Sequence, residues 1–158
     1  MQEDAAAGSS WPPLLPGCAT YRAILKPNMI AGGQVRAPAF MRRPPHPITG
    51  VKRDVEGLSV ALAGDRDEAT TAAAEASQFN RCVAVCCLTV GKIRGIETEP
   101  GLDVVQDAPY HANVIGLPEM PAEADLEADA GRAARARAEF LGGELAQEAR
   151  IVWRREAD

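Results

Sequence analysis

Short apolar segments, separated by Gly, Pro and polar residues, recur along this chain. Their length and their content of β-branched residues predict strands, and their spacing predicts a sheet built from non-adjacent parts of the chain. The predicted strands cover residues 18–25, 57–64, 81–90, 102–107, 111–116 and 150–153. The 81–90 segment is apolar on both faces, which is typical of an interior strand, whereas 150–153 is predicted to lie at an edge.

A tight connection separates two of these strands. Residues 108–110 (Ala-Pro-Tyr) lie between the segments 102–107 and 111–116. Two strands joined by so few residues can only pair side by side in opposite directions. The sequence therefore predicts an antiparallel hairpin that presents Asp107, Tyr110 and His111 at one sheet edge.

Two longer segments predict helices, and 91–96 predicts a single helical turn. In residues 65–79 the alanines favour helix, and Asp65 with Glu68 three residues later matches a capping box. The segment 119–148 is acidic and Ala-rich, with arginines in its middle, an order that the helix dipole favours.

The second helix carries two further predictions. Its buried stripe is expected to consist of four large apolar residues, Leu126, Phe140, Leu141 and Leu145. Gly142 and Gly143 are expected to break or kink it, because glycine weakens a helix interior.

Together these elements predict an α+β fold. It consists of a single domain over residues 18–154 with a mixed, mostly antiparallel sheet, one mid-chain helix and a C-terminal helix. Residues 1–17, rich in Ala, Gly, Ser and Pro, predict a flexible N-terminal arm. Residues 26–56 form a long, basic, Pro- and Gly-rich loop, and loops of that length usually bind something or are disordered.

Charge is distributed unevenly along the chain. The net charge is -5 with a pI of about 5.1, so general nucleic-acid binding is not indicated. Residues 1–60 nevertheless hold seven basic and four acidic side chains, which would suit an anionic ligand. The N-terminus lacks the basic and apolar regions of a signal peptide, and no apolar run is long enough to span a bilayer. We therefore expect a cytoplasmic protein with reduced thiols, no disulfide and no membrane association.

The cysteines have two interpretations. Cys82 and Cys86 have the spacing of a zinc-binding pair, but residues four apart on a strand lie about 13 Å apart. Reduced cysteine also packs as a small apolar residue. Core packing is thus favoured, and no metal site is predicted.

Three predicted strands each carry one conspicuous polar residue, namely Arg22, Ser59 and His111. If these strands are neighbours, the three side chains would converge on one cleft as candidate catalytic residues. The arginine would bind an anion, the serine would orient a ligand and the histidine would exchange protons near neutral pH. A buried Arg22 would otherwise need an acidic partner such as Asp107.

Two other groups of polar residues are weaker candidates. A Ser/His/Asp hydrolase built from Ser59, His111 and Asp107 ranks low, because Ser59 lacks the Gly-x-Ser-x-Gly elbow that exposes such nucleophiles. The basic loop could clamp a phosphate or could simply be a solvated surface. The candidate binding residues are Arg42, Arg43, Lys52 and Arg53 in that loop, and Asp107 and Tyr110 in the hairpin.

Several short motifs give the chain a resemblance to a group of small uncharacterised bacterial proteins. These are "YRAI", "AF" (39–40), "GLSVALA" and "GLDVVQDAPYHANVIGLP", spread over residues 20–153. The resemblance implies one family-wide domain with motif positions at Tyr21, Arg22, Phe40, Ser59, Asp107 and His111. A weaker, fold-level likeness is to NAD-consuming toxins and ADP-ribosyltransferases, although a catalytic glutamate on a late strand is missing here.

Two functions follow from these observations. The first is an accessory, protein-binding subunit, belonging to a defence or toxin system, that docks through the acidic helix or the basic loop. The alternative is a small enzyme acting on a nucleotide or phosphate-bearing substrate through Arg22, Ser59 and His111. No cofactor is predicted, except NAD under the alternative.

Overall fold

Strands from both halves of the chain form an α+β fold in the computed structural model, which describes residues 11–156. The predicted flexible arm therefore falls partly outside the described residues; within 11–17, Leu14 packs against the core. Eight strands and three α-helices alternate along the described chain: β1 (Ala19–Ile24), β2 (Ile30–Ala31), β3 (Gln34–Val35), β4 (Leu58–Leu62), α1 (Glu68–Ser77), β5 (Ala84–Thr89), α2 (Val90–Arg94), β6 (Asp103–Ala108), β7 (His111–Ile115), α3 (Asp129–Glu148) and β8 (Arg150–Arg154).

Six of the strands form one sheet in the order β6-β7-β4-β1-β5-β8, and each neighbouring pair is antiparallel. The hairpin β6–β7, the interior position of β5 and the edge position of β8 are all confirmed. Because strands distant in sequence are neighbours here, β4 lies between β1 and β7. This order brings the strands that carry Arg22, Ser59 and His111 side by side.

The sheet buries both of its faces. On one face, which we call the α3 face, Val60 and Cys86 pack with Leu141 and Leu145 of α3. On the opposite face, the α1 face, Tyr21, Ala61, Val85 and Cys87 pack with Ala72 and Ala76 of α1. Helix α1 contacts β1, β4, β5 and β8. Side chains alternate between these faces along each strand, so a residue's position in the register decides which layer it joins.

The segment 26–56 is more ordered than a long loop. It contains the two-stranded β2–β3 sheet and two 3₁₀ helices, Pro27–Met29 and Ala37–Phe40. The second 3₁₀ helix packs against α3 and places Phe40 in the core with only 1% of its surface exposed. A local apolar anchor thus ties the first half of this segment to the domain.

Helix α1 begins two residues later than its capping pattern predicts. The N-cap is Asp67 rather than Asp65, and its carboxylate accepts a hydrogen bond from the backbone N–H of Thr70 at 2.7 Å. Asp65 instead lies in the turn that follows β4. Either aspartate suits a cap chemically, and the length of the turn selects the second one.

Helix α3 starts at Asp129 instead of residue 119, because residues 119–128 form an extended stretch and a 3₁₀ turn, Glu123–Glu127. The predicted break at Gly142 is also wrong, since the helix runs through it to Glu148. A Cβ at Gly142 would lie 2.6 Å from the carbonyl oxygen of Ala37. Glycine therefore allows close packing of the Ala37–Phe40 helix rather than ending α3.

The buried stripe of α3 differs from its prediction in two of the four large residues. Leu141 and Leu145 are buried as expected, but Phe140 is 62% exposed and Leu126 precedes the helix. Adjacent helical positions point about 100° apart, so the face that buries Leu141 turns Phe140 toward solvent.

The four cysteines are free, and three of them, Cys82, Cys86 and Cys87, are buried. Burial raises the pKa of the Cys86 thiol to about 12. The three buried cysteines therefore pack in the core of the fold. Residues 11–156 contain no cluster of His, Cys, Asp and Glu able to hold a metal. No helix within the same range is both long and apolar enough to cross a membrane.

Candidate functional site

The register between β4 and β7 brings Ser59 and His111 together. Ser59 lies opposite Asn113, and Ala61 lies opposite His111, so serine and histidine are diagonal neighbours on the α1 face. The Ser59 hydroxyl is hydrogen-bonded to Nε2 of His111. Helix α1 packs on the sheet beside them and leaves Ser59 exposed.

Asp107 completes the arrangement through an irregularity in the hairpin. The β6–β7 register shifts between Gln106 and Ala108, which gives β6 one extra residue, Asp107. Its Oδ1 lies 2.5 Å from Nδ1 of His111, and its Oδ2 accepts a hydrogen bond of 2.9 Å from the Asn113 side-chain amide. Bulges of this kind redirect a side chain, and here the bulge fixes a carboxylate behind the histidine.

These contacts determine the proton positions in the chain Ser59–His111–Asp107. An ionised carboxylate only accepts, so Nδ1 of His111 carries the ring proton and donates it to Asp107. Nε2 is then the acceptor for the Ser59 hydroxyl proton. Nucleophile, base and orienting acid thus follow one another in hydrogen-bond contact, which is the arrangement of a catalytic triad.

Arg22 does not join this arrangement in the way that the sequence predicts. Its partner on β5 is Cys86, which lies in the α3-face core, so its side chain leaves the sheet on the side opposite to Ser59. Its proposed ion pair with Asp107 is also wrong, because Nε donates to the carbonyl of Ala39 at 2.6 Å and Nη1 to that of Ser59 at 2.8 Å.

Arg22 and Ser59 nevertheless meet at a common cleft. Pairing between β1 and β4 is confined to Thr20–Leu62 and Tyr21–Ala61, and beyond these pairs the Arg22 side chain contacts the Ser59 carbonyl. A cavity of about 480 Å³ opens there, with Ser59 on its wall. Six charged residues and Ser59 line it, together with apolar side chains; the charged ones are Arg22, Lys26, Arg43, Arg53, Asp54 and Glu75.

Three polar residues of this region do not stand out in the sequence. Asn113 looks like an ordinary strand residue, and Asp54 lies in the loop, where its carboxylate binds Arg43 in a bidentate ion pair at 2.9 Å. Glu75 is hidden in an Ala-rich helix. Its position four residues after the buried Thr71 does put it on the inner face of α1, and that spacing is the signal that could have revealed it.

Glu75 is 8% exposed and lines the cleft. Burial raises the pKa of its carboxyl above the usual value of 4.5, although a backbone hydrogen bond from Ala23 and the charges of Arg22, His111 and Arg66 oppose the rise. The carboxyl therefore takes up a proton more readily in the folded protein than in the unfolded chain.

We expect Glu75 to make stability depend on pH. The folded state binds more protons than the unfolded state above about pH 4.5, so the free energy of unfolding should fall as pH rises through the raised pKa. Glu75→Gln should remove this fall, which urea unfolding at a series of pH values would measure. The exposed Glu123→Gln should leave the pH profile unchanged; an unchanged slope in Glu75→Gln would contradict the assignment.

The candidate binding residues of the basic loop divide between two places. Arg43 and Arg53 line the cleft beside Arg22, whereas Arg42 and Lys52 face Glu119, at 3.8 and 3.5 Å respectively. A second cavity, of about 530 Å³, is lined by all four basic residues and by Glu119. The basic loop and the start of the predicted acidic segment are therefore in contact with each other.

Tyr110 lies in the turn of the hairpin, next to the triad rather than in it. Its ring is 46% exposed, and the guanidinium of Arg66 stacks on it, 4.0 Å from the ring centroid. This cation–π contact holds the turn beside Gly64 at the end of β4. Tyr110 thus has a structural contact of its own and lines one side of the exposed surface around His111.

Comparison of the chain with models of known families, with curated proteins and with solved structures finds no match. The family resemblance drawn from the short motifs accordingly stays a prediction.

Proposed function

We propose that this protein is a serine hydrolase that cleaves carboxylic esters with Ser59 as nucleophile, His111 as general base and acid, and Asp107 as the residue that orients His111. The observation that supports it is the unbroken hydrogen-bonded chain Ser59–His111–Asp107 on an exposed sheet surface. Asn113 holds the second carboxylate oxygen of Asp107 and so fixes the geometry from behind.

The proposed reaction has two halves that His111 couples. The Ser59 oxygen attacks the ester carbonyl carbon while its proton passes to Nε2 of His111, and that proton then leaves with the alcohol as the C–O bond breaks. Water attacks the resulting acyl-enzyme, giving one proton to His111, which returns it to the Ser59 oxygen. The net change is ester and water to carboxylic acid and alcohol.

The local backbone supports this role in a way that differs from a nucleophile elbow. Ser59 lies in a regular strand, beyond the point where β1–β4 pairing ends, and its side chain is exposed. The cleft next to it is large enough to bury part of a small substrate. Access therefore comes from the gap between β1 and β4 and not from a sharp turn.

Covalent labelling tests the proposal directly. A fluorophosphonate reacts with activated serines, and we expect one label per chain, on the peptide that contains Ser59, as measured by mass spectrometry. His111→Gln should abolish the labelling, because the serine loses its base. The exposed Ser77, on α1, provides the matched comparison within the same protein. Labelling that is absent, or that falls on other serines equally, would contradict the proposal.

The two functions predicted from the sequence, a protein-binding subunit and an enzyme acting on a nucleotide or phosphate-bearing substrate, remain predictions. For the protein-binding subunit, Arg42 and Lys52 of the basic loop contact Glu119 of the acidic segment. These contacts occupy part of each charged surface that was predicted to bind a partner. For the nucleotide-directed enzyme, Glu75 supplies a carboxylate in the cleft that also holds Arg22 and Ser59.

A further inference from the structure

The guanidinium of Arg22 forms no ion pair with a carboxylate of the described residues, although the charges of Asp54 and Glu75 act on it. Two of its N–H groups donate to the carbonyls of Ala39 and Ser59. No carboxylate oxygen within residues 11–156 lies within 4.0 Å of it. A guanidinium has five N–H donors, so three have no partner in the described part of the chain.

The surroundings of Arg22 strengthen its field within the cleft. Burial lowers the pKa of its side chain, yet guanidinium stays protonated at any ordinary pH. Lys26, Arg43 and Arg53 line the same cavity, against the acids Asp54 and Glu75. A partly enclosed cleft with an excess of cationic groups is suited to an oxyanion.

The two acids of the cleft, Asp54 and Glu75, act on Arg22 through their charge from beyond ion-pair distance. Asp54 is already bound to Arg43: burial raises the pKa of its carboxyl, but hydrogen bonds from Arg43 outweigh that effect and hold it below the usual value. Glu75 has the opposite shift, caused by burial, which favours its neutral form. Neither forms an ion pair with Arg22.

We propose that the cleft holds an anionic group of the substrate, a carboxylate or a phosphate, on the guanidinium of Arg22. This inference rests on the proposed function, because it assigns the substrate class of the Ser59 site. Arg22 donates to the backbone carbonyl of Ser59 and lines the same cleft, so an anion on Arg22 and an ester carbonyl at Ser59 would belong to one short substrate. The substrate is then a short ester that carries a negative charge at its other end.

A pair of matched esters tests this assignment. The mono-4-nitrophenyl ester of glutarate ends in a carboxylate, whereas 4-nitrophenyl valerate ends in a methyl group at the same length. We expect kcat/KM to be about ten- to a hundredfold higher for the charged ester, mainly through KM, as for a charge-assisted hydrogen bond. Arg22→Gln should reduce that ratio to near one, and Arg22→Lys should retain part of it.

Arg137→Gln is the matched control, because Arg137 lies on α3, does not line the cleft, and donates to the Thr98 hydroxyl and the Glu99 carbonyl. It should keep the full preference for the charged ester. An equal rate with both esters in the unmodified protein, or an unchanged ratio in a folded Arg22→Gln, would overturn the inference.

Binding without turnover separates this proposal from the proposed function. Calorimetry with Ser59→Ala should detect glutarate or inorganic phosphate at millimolar concentration, and the stronger of the two identifies the anion. Anion binding by Ser59→Ala, together with no ester hydrolysis by the unmodified protein, would leave the anion cleft standing and reject the hydrolase. Ester hydrolysis without binding of either anion would do the reverse. This measurement also serves if the Arg22 variants fail to fold.

Discussion

Ser59→Ala should lower kcat for ester hydrolysis by at least about 10³-fold, because among residues 11–156 no other hydroxyl or thiol is hydrogen-bonded to His111 to replace its oxygen as the nucleophile. His111→Gln should cause a loss of similar size. The double variant should be no worse than either single variant, since residues of a triad act as a unit. Release of 4-nitrophenol, followed by absorbance, measures all three.

The matched control for this prediction is Ser77→Ala. Ser77 is an exposed serine near the C-terminal end of α1, where its hydroxyl bonds only to the carbonyl of Ala74. Its removal should leave the rate unchanged. A Ser59→Ala protein that is folded by circular dichroism and still hydrolyses the ester at the original rate would refute the role of Ser59.

Phe40→Ala should lower the free energy of unfolding by about 3–5 kcal/mol. Phe40 is the largest fully buried side chain in the described chain, and it lies between the sheet and α3. Removing its ring leaves a cavity. Because the Ala37–Phe40 helix already lies close against Gly142, filling that cavity would require α3 to move. Urea unfolding followed by circular dichroism gives the change in free energy.

Phe140→Ala makes the same chemical change at a position that is 62% exposed. It should alter the free energy of unfolding by no more than about 0.5 kcal/mol, as is usual for surface positions. Equal losses at Phe40 and Phe140 would show that the layer formed by the Ala37–Phe40 helix and α3 does not support the fold.

The low rank that the sequence gives to a Ser/His/Asp site has an identifiable cause. A motif search looks for the Gly-x-Ser-x-Gly elbow, which is one way to expose a serine. Here the exposure of Ser59 comes from the strand order and from the end of pairing between β1 and β4. Neither feature can be recognised from the residues adjacent to Ser59. A catalytic triad is defined by the geometry of its three side chains, and these residues can occur in any order along a chain.

Local patterning did predict the strands of the six-stranded sheet, the hairpin and the fold class of this protein, whereas the short strands β2 and β3 were not predicted. Alternation and β-branched content set the strands, and the short 108–110 connection forced β6 and β7 to pair antiparallel. The same patterning singled out Arg22, Ser59 and His111 as polar residues among apolar neighbours. These are properties of adjacent residues, so the sequence carries them directly.

Only the tertiary structure decided which of these residues contact one another. The face on which a side chain lies depends on register, and register here is set by strands far apart in the chain and by the extra residue Asp107 in β6. That is why Asp107 contacts His111, why Arg22 points to the opposite face, and why Glu75 enters the cleft from α1. Pairwise distances across a sheet are long-range quantities, and no local pattern around Ser59 determines them.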